Sequence, residues 1–398
     1  MNTESLGGKM TTDAGGGLEI SLTDTGNGRG LILKDGDGLG QILLCLSHFL
    51  VDAACISLLF LPEEGRGSLL IPVLVYNTLA FVLQCPVGIL MDRLTGEGSG
   101  GSVKLTGGFF AGIGMLMTAL GSLLSVPFMI RVVLAGLGNS IFHVGGGIEM
   151  LKRSAGAARL GCFVAPGALG VALGSVMPQA GPYISILLIL FGVFFILRGR
   201  AAGESSGVSC TGGQETGKDG DHGYASGKCR MGVVLALACA VAVRAMGGTA
   251  VDFPWKKGAQ MALLMAAFVF LGKLLGGFFC DRVGVRLSAV VSIVPAAVLT
   301  AFFAEYMAPS LAGQLLLNLS MPLTLYLMYR ELPNDPGFAF GLAAAALWPG
   351  TLVGYLFHFT GSMLRVCVIL SFMFGLAAIF YAIKDALPEG RNYEKNGT

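Results

Sequence analysis

The stretch Gly277-Phe278-Phe279-Cys280-Asp281-Arg282-Val283-Gly284-Val285-Arg286 lies between two long apolar runs. A shorter copy, Gly88-Ile89-Leu90-Met91-Asp92-Arg93, lies 189 positions earlier, again between two apolar runs. The earlier copy lacks the trailing glycine and arginines of the later one. The same short element at the same place in both halves indicates that the chain is a duplication of one membrane unit.

The composition is that of a membrane protein. Hydrophobic residues make up 54% of the chain and charged residues only 13%, and the mean hydropathy is +0.74. A soluble domain carries about 25% charged residues. The net charge of +2 argues against a nucleic-acid partner. The nine cysteines form no C-x-x-C pair, so we expect neither a metal nor another cofactor.

Twelve apolar runs follow one another, each close to the roughly 20 residues that a membrane-spanning helix needs. We therefore predict an all-α membrane protein with twelve transmembrane helices in two six-helix bundles. The predicted spans are 39–61, 68–91, 105–124, 127–146, 157–178, 182–198, 231–251, 258–280, 286–305, 309–329, 337–359 and 363–384. The predicted divisions are a disordered cytoplasmic tail (1–38), an N-terminal bundle (39–198), a cytoplasmic linker (199–230), a C-terminal bundle (231–385) and a second cytoplasmic tail (386–398).

Lys and Arg residues set the predicted orientation. With the N-terminus in the cytoplasm, 19 of the 26 basic residues fall on the inner side and five on the outer side. The remaining two, Arg244 and Lys273, lie within spans. We predict a multi-pass protein of the inner cell membrane with both termini in the cytoplasm.

The duplicated element resembles the signature loop of the major facilitator superfamily, whose pattern is G-x-x-x-D-R-x-G-R-R. The resemblance implies a monomeric transporter with a central cavity, in which this cytoplasmic loop stabilises one facing. Asp281 with Arg282 and Arg286 would form a charge lock between helices, and the alternative is a set of solvated charges that only mark the inner side. The candidate gate residues are Asp92, Arg93, Asp281, Arg282 and Arg286.

Three further motifs are similar to the fosmidomycin-resistance branch of that superfamily. They are Ser47-His48 with Asp52, the run from Gly136 through Asn139 to His143, and Glu331-Leu332-Pro333.

Ionisable side chains inside the first span are costly and need a reason. His48 and Asp52 are four residues apart and therefore share one helix face. One interpretation is a buried pair that satisfies itself, and the other is a path for protons. We predict proton coupling at Asp52, aided by His48.

Other polar residues inside spans are candidates for the lining of a substrate cavity. Lys273 corresponds to Gln84 across the repeat, and with Arg244 it would make the cavity attractive to anions. Alternatives remain open: Lys273 snorkels to the interface, and His143 is a helix-end residue bonded to a carbonyl. The candidates are Asn77, Gln84, Asn139, His143, Arg244, Lys273, Asn318 and Trp348, of which Asn77, Asn318 and Trp348 could instead be helix contacts.

Pro166 in the fifth span predicts a kinked helix, because proline removes a backbone hydrogen bond. The surrounding Gly161-x-x-x-Ala165-Pro166-x-x-Leu169-Gly170 resembles an element associated with exporters, with two glycines replaced. The alternative is an ordinary packing kink.

These patterns together predict proton-coupled export of a small organic molecule across the lipid bilayer by alternating access. The first alternative is proton- or cation-coupled uptake of an organic anion or a metal. An intramembrane enzyme using His48, Asp52 and His143 would not explain the duplicated loop. A non-transporting receptor of the same fold is a further alternative.

Overall fold

The computed structural model describes residues 19–25, 28–34, 38–62, 68–95, 105–154, 156–208, 230–357 and 359–384. The chain divides into two units, Met1–Leu44 and Cys45–Thr398. The second unit contains nearly all of the helical part and every site described below.

The first unit contains two antiparallel strands, β1 (Glu19–Thr25) and β2 (Gly28–Lys34), in a register that pairs Ile20 with Leu33. The predicted division into a tail and two bundles stays a prediction. In the sequence, Ile20 and Leu22 alternate with polar residues in β1, Leu31, Ile32 and Leu33 form a short apolar run in β2, and Gly26-Asn27 stands between the two segments. A Gly-Asn pair between two such segments is typical of a hairpin.

Twelve apolar helices follow, which confirms the predicted all-α membrane architecture. Eleven are long and apolar enough to cross a bilayer, and the remaining helix, α3, has 17 residues. They are α1 (Gly38–Phe60), α2 (Leu70–Thr95), α3 (Gly107–Leu123), α4 (Phe128–Lys152), α5 (Ala158–Val176), α6 (Gly181–Val208), α7 (Met231–Thr249), α8 (Gly258–Val283), α9 (Val285–Phe302), α10 (Met307–Glu331), α11 (Pro336–Leu356) and α12 (Gly361–Lys384).

Three helices depart from a regular α-helix or from the prediction. A π-helical turn, Thr78–Val82, interrupts α2. The predicted kink divides α5, whose second part begins at Pro166. Helix α6 continues to Val208, ten residues into the predicted 199–230 linker, because the apolar run is followed by alanines, which favour helix. Residues 209–229 lie outside the described part of the chain.

The two halves of the bundle meet closely at the end where α2 and α8 finish, which we call the loop face. A Cβ at Gly88 on α2 would overlap the carbonyl oxygen of Gly337 on α11, and a Cβ at Gly277 on α8 would overlap that of Ala157, beside the start of α5. Glycine permits such close approach of two helices. The halves are therefore closed against each other at the loop face.

Each half is also held together internally at the loop face by a glutamate. In the N-terminal half, Glu149 of α4 accepts a hydrogen bond from the Gly108 N–H of α3 (2.8 Å) and pairs with Arg153 (3.2 Å). In the C-terminal half, Glu331 of α10 pairs with Arg230, which also donates to a carbonyl of α12. These contacts favour movement of each half as one body.

Candidate functional site

A cavity of about 520 Å³ lies between the two halves, on the side away from the loop face. Its lining extends to Phe60, Val73 and Tyr355, near the ends of α1, α2 and α11 that are remote from the loop face. We call this end the far face. The cavity is therefore deep, lined by both halves, and closed toward the loop face.

The lining contains most of the residues that the sequence predicted, namely His48, Asp52, Asn77, Gln84, Asn139, His143, Arg244, Lys273 and Trp348. The exception is Asn318, which does not line the cavity. Its side chain donates to the Gln314 carbonyl one turn earlier (2.8 Å), and its Cβ lies against Gly272 of α8. Asn318 thus makes a helix–helix contact, which the sequence had left as the alternative.

His48 and Asp52 of α1 meet His143 of α4, and we call these three residues the His–Asp cluster. His48 Nε2 lies 2.9 Å from His143 Nε2 and 3.4 Å from Asp52 Oδ2. His143 Nε2 lies 3.7 Å from Asp52 Oδ1. The side chain of His48 is 6% exposed. His143, which the sequence predicted as a lining residue with a helix-end residue as the alternative, is a third member of this cluster.

When both imidazoles are neutral, the hydrogen bonds indicate which nitrogen of each ring carries the proton. His143 Nδ1 is 2.9 Å from the Asn139 carbonyl oxygen. Since a carbonyl only accepts, Nδ1 carries the proton and Nε2 of the neutral ring is an acceptor. The 2.9 Å contact then requires that His48 donate its Nε2 proton to His143, with Asp52 beside it. The proton on His48 Nε2 therefore lies among three acceptor atoms, namely His143 Nε2 and the two carboxylate oxygens of Asp52.

Neighbouring residues hold this cluster in place. The Asn139 amide donates to Asp52 Oδ1 (3.1 Å) and lies 3.2 Å from the Tyr76 hydroxyl. A Cβ at Gly167 of α5 would overlap Asp52 Oδ2 and lie 2.5 Å from His48 Nε2. The backbone of α5 therefore closes directly on the cluster one residue after the Pro166 break.

The same cluster has the geometry of a possible metal site. The ligand atoms of its three residues lie within 4.8 Å of one another, and it is the one such group among the described residues. Two histidines with a carboxylate suit transition metals. Arg244 and Lys273 line the same cavity, and their positive charges oppose the binding of a divalent cation. The charge of the cavity is therefore unfavourable to a metal.

Arg244 and Lys273, which we call the cation pair, both come from the C-terminal half. Arg244 Nη1 donates to the hydroxyls of Ser320 (3.0 Å) and Thr324 (3.3 Å) on α10. Its hydrogen-bond partners among the described residues are these two hydroxyls, and Asp52 is not one of them. Lys273 has no hydrogen bond or ion pair to any described residue, and it lines the cavity rather than reaching the membrane interface.

The two signature aspartates bind helix N-termini of the opposite half. Asp92 accepts hydrogen bonds from Gly337 N (2.8 Å) and Phe338 N (2.7 Å) in the first turn of α11. Asp281 accepts from Ala157 N (2.8 Å) and Ala158 N (2.9 Å) at the start of α5. The free N–H groups and the positive dipole end of a helix N-terminus favour a carboxylate. We call these two contacts the aspartate latches.

The latches correct the predicted charge lock. Arg282 and Arg286 are exposed and form no ion pair within the described ranges, and Arg93 likewise has no partner there. Two backbone N–H groups at the start of α5 donate hydrogen bonds to the Asp281 carboxylate, so this carboxylate has partners without an arginine. The arginines therefore mark the loop face without locking it.

Two residues of the site were absent from the sequence prediction. Tyr76 precedes Asn77 in an apolar span, and its hydroxyl in the second turn of α2 was the available signal. Gly167 follows Pro166 directly, but a glycine carries no chemical signal of what it faces.

Comparisons with known proteins come from structure alone, since no family model and no curated protein matches the chain. A single-substitution variant of the E. coli fucose:proton symporter FucP has a TM-score of 0.55 at 14% identity, covering 87% of this chain and 98% of that one. A structure of FucP in the outward conformation, described as a major facilitator superfamily transporter, has a TM-score of 0.53 at 14% identity, covering 87% and 99%. The likeness to the fosmidomycin-resistance branch stays a prediction. The chain is a multi-pass membrane protein with the fold of the major facilitator superfamily transporters.

Proposed function

We propose that the protein is a proton-coupled secondary transporter that moves a small organic molecule by alternating access. The observation that carries this proposal is one cavity between two duplicated halves, closed at the loop face by two equivalent latches. Rocking of one half against the other about a central site is how such repeats expose a cavity to each side in turn. The fold shared with transporters supports the same conclusion.

The orientation follows from the distribution of basic residues. We place the loop face in the cytoplasm because 19 of the 26 Lys and Arg residues lie on that side by sequence. The cavity then opens to the outside, and both termini lie inside. This is the outward-facing state of the cycle.

The His–Asp cluster is the coupling site. A buried carboxylate and two imidazoles share one proton at the bottom of the cavity, where opening to either side changes their access to water. Ionisable groups at membrane depth commonly form proton relays. Asp52 carries the charge, and His48 and His143 adjust the proton affinity of its carboxylate.

The structure weakens the argument for export. That prediction depended on the Pro166 element as a mark of antiport. Here the break at Pro166 brings the backbone of Gly167 against Asp52 and His48, which supports a packing role. The direction of transport is therefore better judged from the charges of the cavity.

Asp52→Asn tests the coupling. A substrate is first found by thermal-shift screening of small organic molecules against the purified protein at two pH values. In vesicles we expect Asp52→Asn to retain substrate exchange and to lose accumulation driven by a pH gradient, by roughly 100-fold. His48→Gln should only shift the pH optimum, because it changes the proton affinity of Asp52 and leaves the carboxylate in place. Gradient-driven transport by Asp52→Asn at the wild-type rate would contradict the assignment.

A further inference from the structure

The cavity carries more positive than negative charge. Among its described lining residues, Asp52 is the one acidic group, whereas Arg244 and Lys273 are both basic. His48 and His143 add no charge as neutral imidazoles. With one carboxylate against two cations, the lining then has a net charge of +1. An uncompensated buried charge is costly, so an anion would stabilise this cavity.

Arg244 is fixed in place with donors to spare. The two hydroxyls that accept from it pass their own protons on, Ser320 to the Leu317 carbonyl (2.7 Å) and Thr324 to the Met321 carbonyl (2.9 Å). These hydroxyls are neutral, so they orient the guanidinium without cancelling its charge. The guanidinium has five N–H donors, and only Nη1 is bonded to described residues.

Lys273 is the second donor. It lines the same cavity as Arg244 and has no hydrogen bond or ion pair to any described residue. Gln84, its counterpart in the other half, also lines the cavity and is 1% exposed. Lys273 and the unbonded N–H groups of Arg244 are therefore free to donate to a carboxylate or sulfonate group.

The rest of the cavity suits an apolar body. Aromatic side chains from α1, α2 and α11 line it, namely Phe60, Phe81, Phe340, Trp348 and Tyr355. Sites of this kind bind a mostly apolar ligand and orient it with a few polar groups. A small anion with an aromatic or aliphatic body fits both parts of the lining.

We propose that the transported molecule is an apolar organic anion held by Arg244 and Lys273, and that it binds together with a proton on the His–Asp cluster. This inference rests on the proposed function and names its substrate class and coupling. The proton comes from the solvent on the open side of the cavity, and no bond other than that to the proton forms or breaks.

The sign of the coupling follows from charge. Asp52 lies beside His48 of its own helix and beside Asn139 and His143 of α4. Tyr76 of α2 contacts Asn139, and Arg244 and Lys273 line the same cavity.

An anion at the cation pair adds a second negative charge near the Asp52 carboxylate. A proton on the cluster removes that repulsion, so each ligand increases the affinity for the other. Mutual strengthening is the requirement for symport, whereas the predicted export by antiport needs each ligand to weaken the other.

Isothermal titration of the purified full-length protein, in EDTA, tests this inference. The probes are benzoate and benzenesulfonate, which stay ionised between about pH 6 and pH 8, and neutral benzamide. We expect both anions to bind, benzamide to bind at least about tenfold more weakly, and benzenesulfonate to bind about tenfold more tightly at about pH 6 than at about pH 8. Titrations in buffers of different ionisation enthalpy should show proton uptake on anion binding.

Variants assign these effects to residues. Arg244→Gln and Lys273→Met should each weaken anion binding about tenfold or more, and Arg244→Lys should retain part of it. Arg365→Gln is the matched control, because Arg365 is exposed and stacks on Phe302 away from the cavity. Asp52→Asn should bind both anions without proton uptake and without dependence on pH.

Three results would overturn the inference. Neither anion binding, or benzamide binding as tightly as benzoate, would exclude the substrate class. Unchanged anion binding in both Lys273→Met and Arg244→Gln would exclude the cation pair. Proton release on anion binding would reverse the coupling. None of these results decides the outcome of the vesicle experiment on Asp52→Asn. The proposed function and the proposed substrate class can therefore be refuted independently.

Discussion

The two halves of the molecule are alike at the loop face and unlike in the cavity. At the loop face, Asp92 and Asp281 each bind two backbone N–H groups at a helix N-terminus of the other half. In the cavity, the carboxylate and both histidines come from the N-terminal half, and both cations come from the C-terminal half.

If the protein transports as we propose, this difference suggests which features the two halves retain in common and which diverge. Opening and closing require equivalent movements of two similar bodies, so symmetry is useful at the latches. Binding a proton and a substrate requires two different chemistries, which a symmetric cavity would not supply. Gln84 and Lys273 show the divergence at one pair of corresponding positions, because both line the cavity and only one is charged.

The largest effect is expected at Gly167, where the backbone of α5 lies directly against Asp52 and His48 of the same half. In Gly167→Ala the added Cβ would overlap Asp52 Oδ2, and overpacking of this kind costs roughly 1–3 kcal/mol. We expect at least about a tenfold loss of gradient-driven transport with a smaller loss of substrate exchange. Gly375→Ala on α12 is the control, because no atom lies within 4 Å of its Cβ position. Equal behaviour of the two variants would remove Gly167 from the site.

An effect of similar size, equal for the two aspartates, is expected at the latches. Hydrogen bonds to a charged group contribute about 1.5–3 kcal/mol, so Asp92→Asn and Asp281→Asn should each shift the balance between facings by about tenfold or more. Distances between spin labels at Lys152→Cys and Arg286→Cys, without the native cysteines, would report the opening of the loop face. Arg282→Gln should change nothing, since Arg282 is exposed and unpaired among the described residues. A response in only one aspartate variant would show that the latches are not equivalent.

The sequence predicted the architecture well because hydropathy and a duplicated loop are local signals. Twelve apolar runs became twelve helices in the described part of the chain, and all but one of the polar and aromatic residues that the sequence predicted for the cavity line it. Asn318 was misplaced because sequence does not show which face of α10 meets α8.

Other features depend on contacts that the sequence does not encode locally. Asp281 binds N–H groups more than a hundred residues away, and backbone donors at a helix start leave no trace in residue type. The overlap of Gly167 with Asp52 is invisible for the same reason. The pairing of β1 and β2 was not predicted, because the sequence analysis judged residues 1–38 only as a tail.

The most direct test of alternating access is the accessibility of the cavity from each side. Ala344 of α11 lines the cavity, and Ala344→Cys, in a background without the native cysteines, can be labelled with impermeant thiol reagents in intact cells and in inverted vesicles. With intact latches we predict labelling from the outside, with little labelling from the cytoplasmic loop face. Combining it with Asp92→Asn and Asp281→Asn should transfer labelling to the loop face. Labelling from the loop face at the same rate with and without the latches would contradict the account.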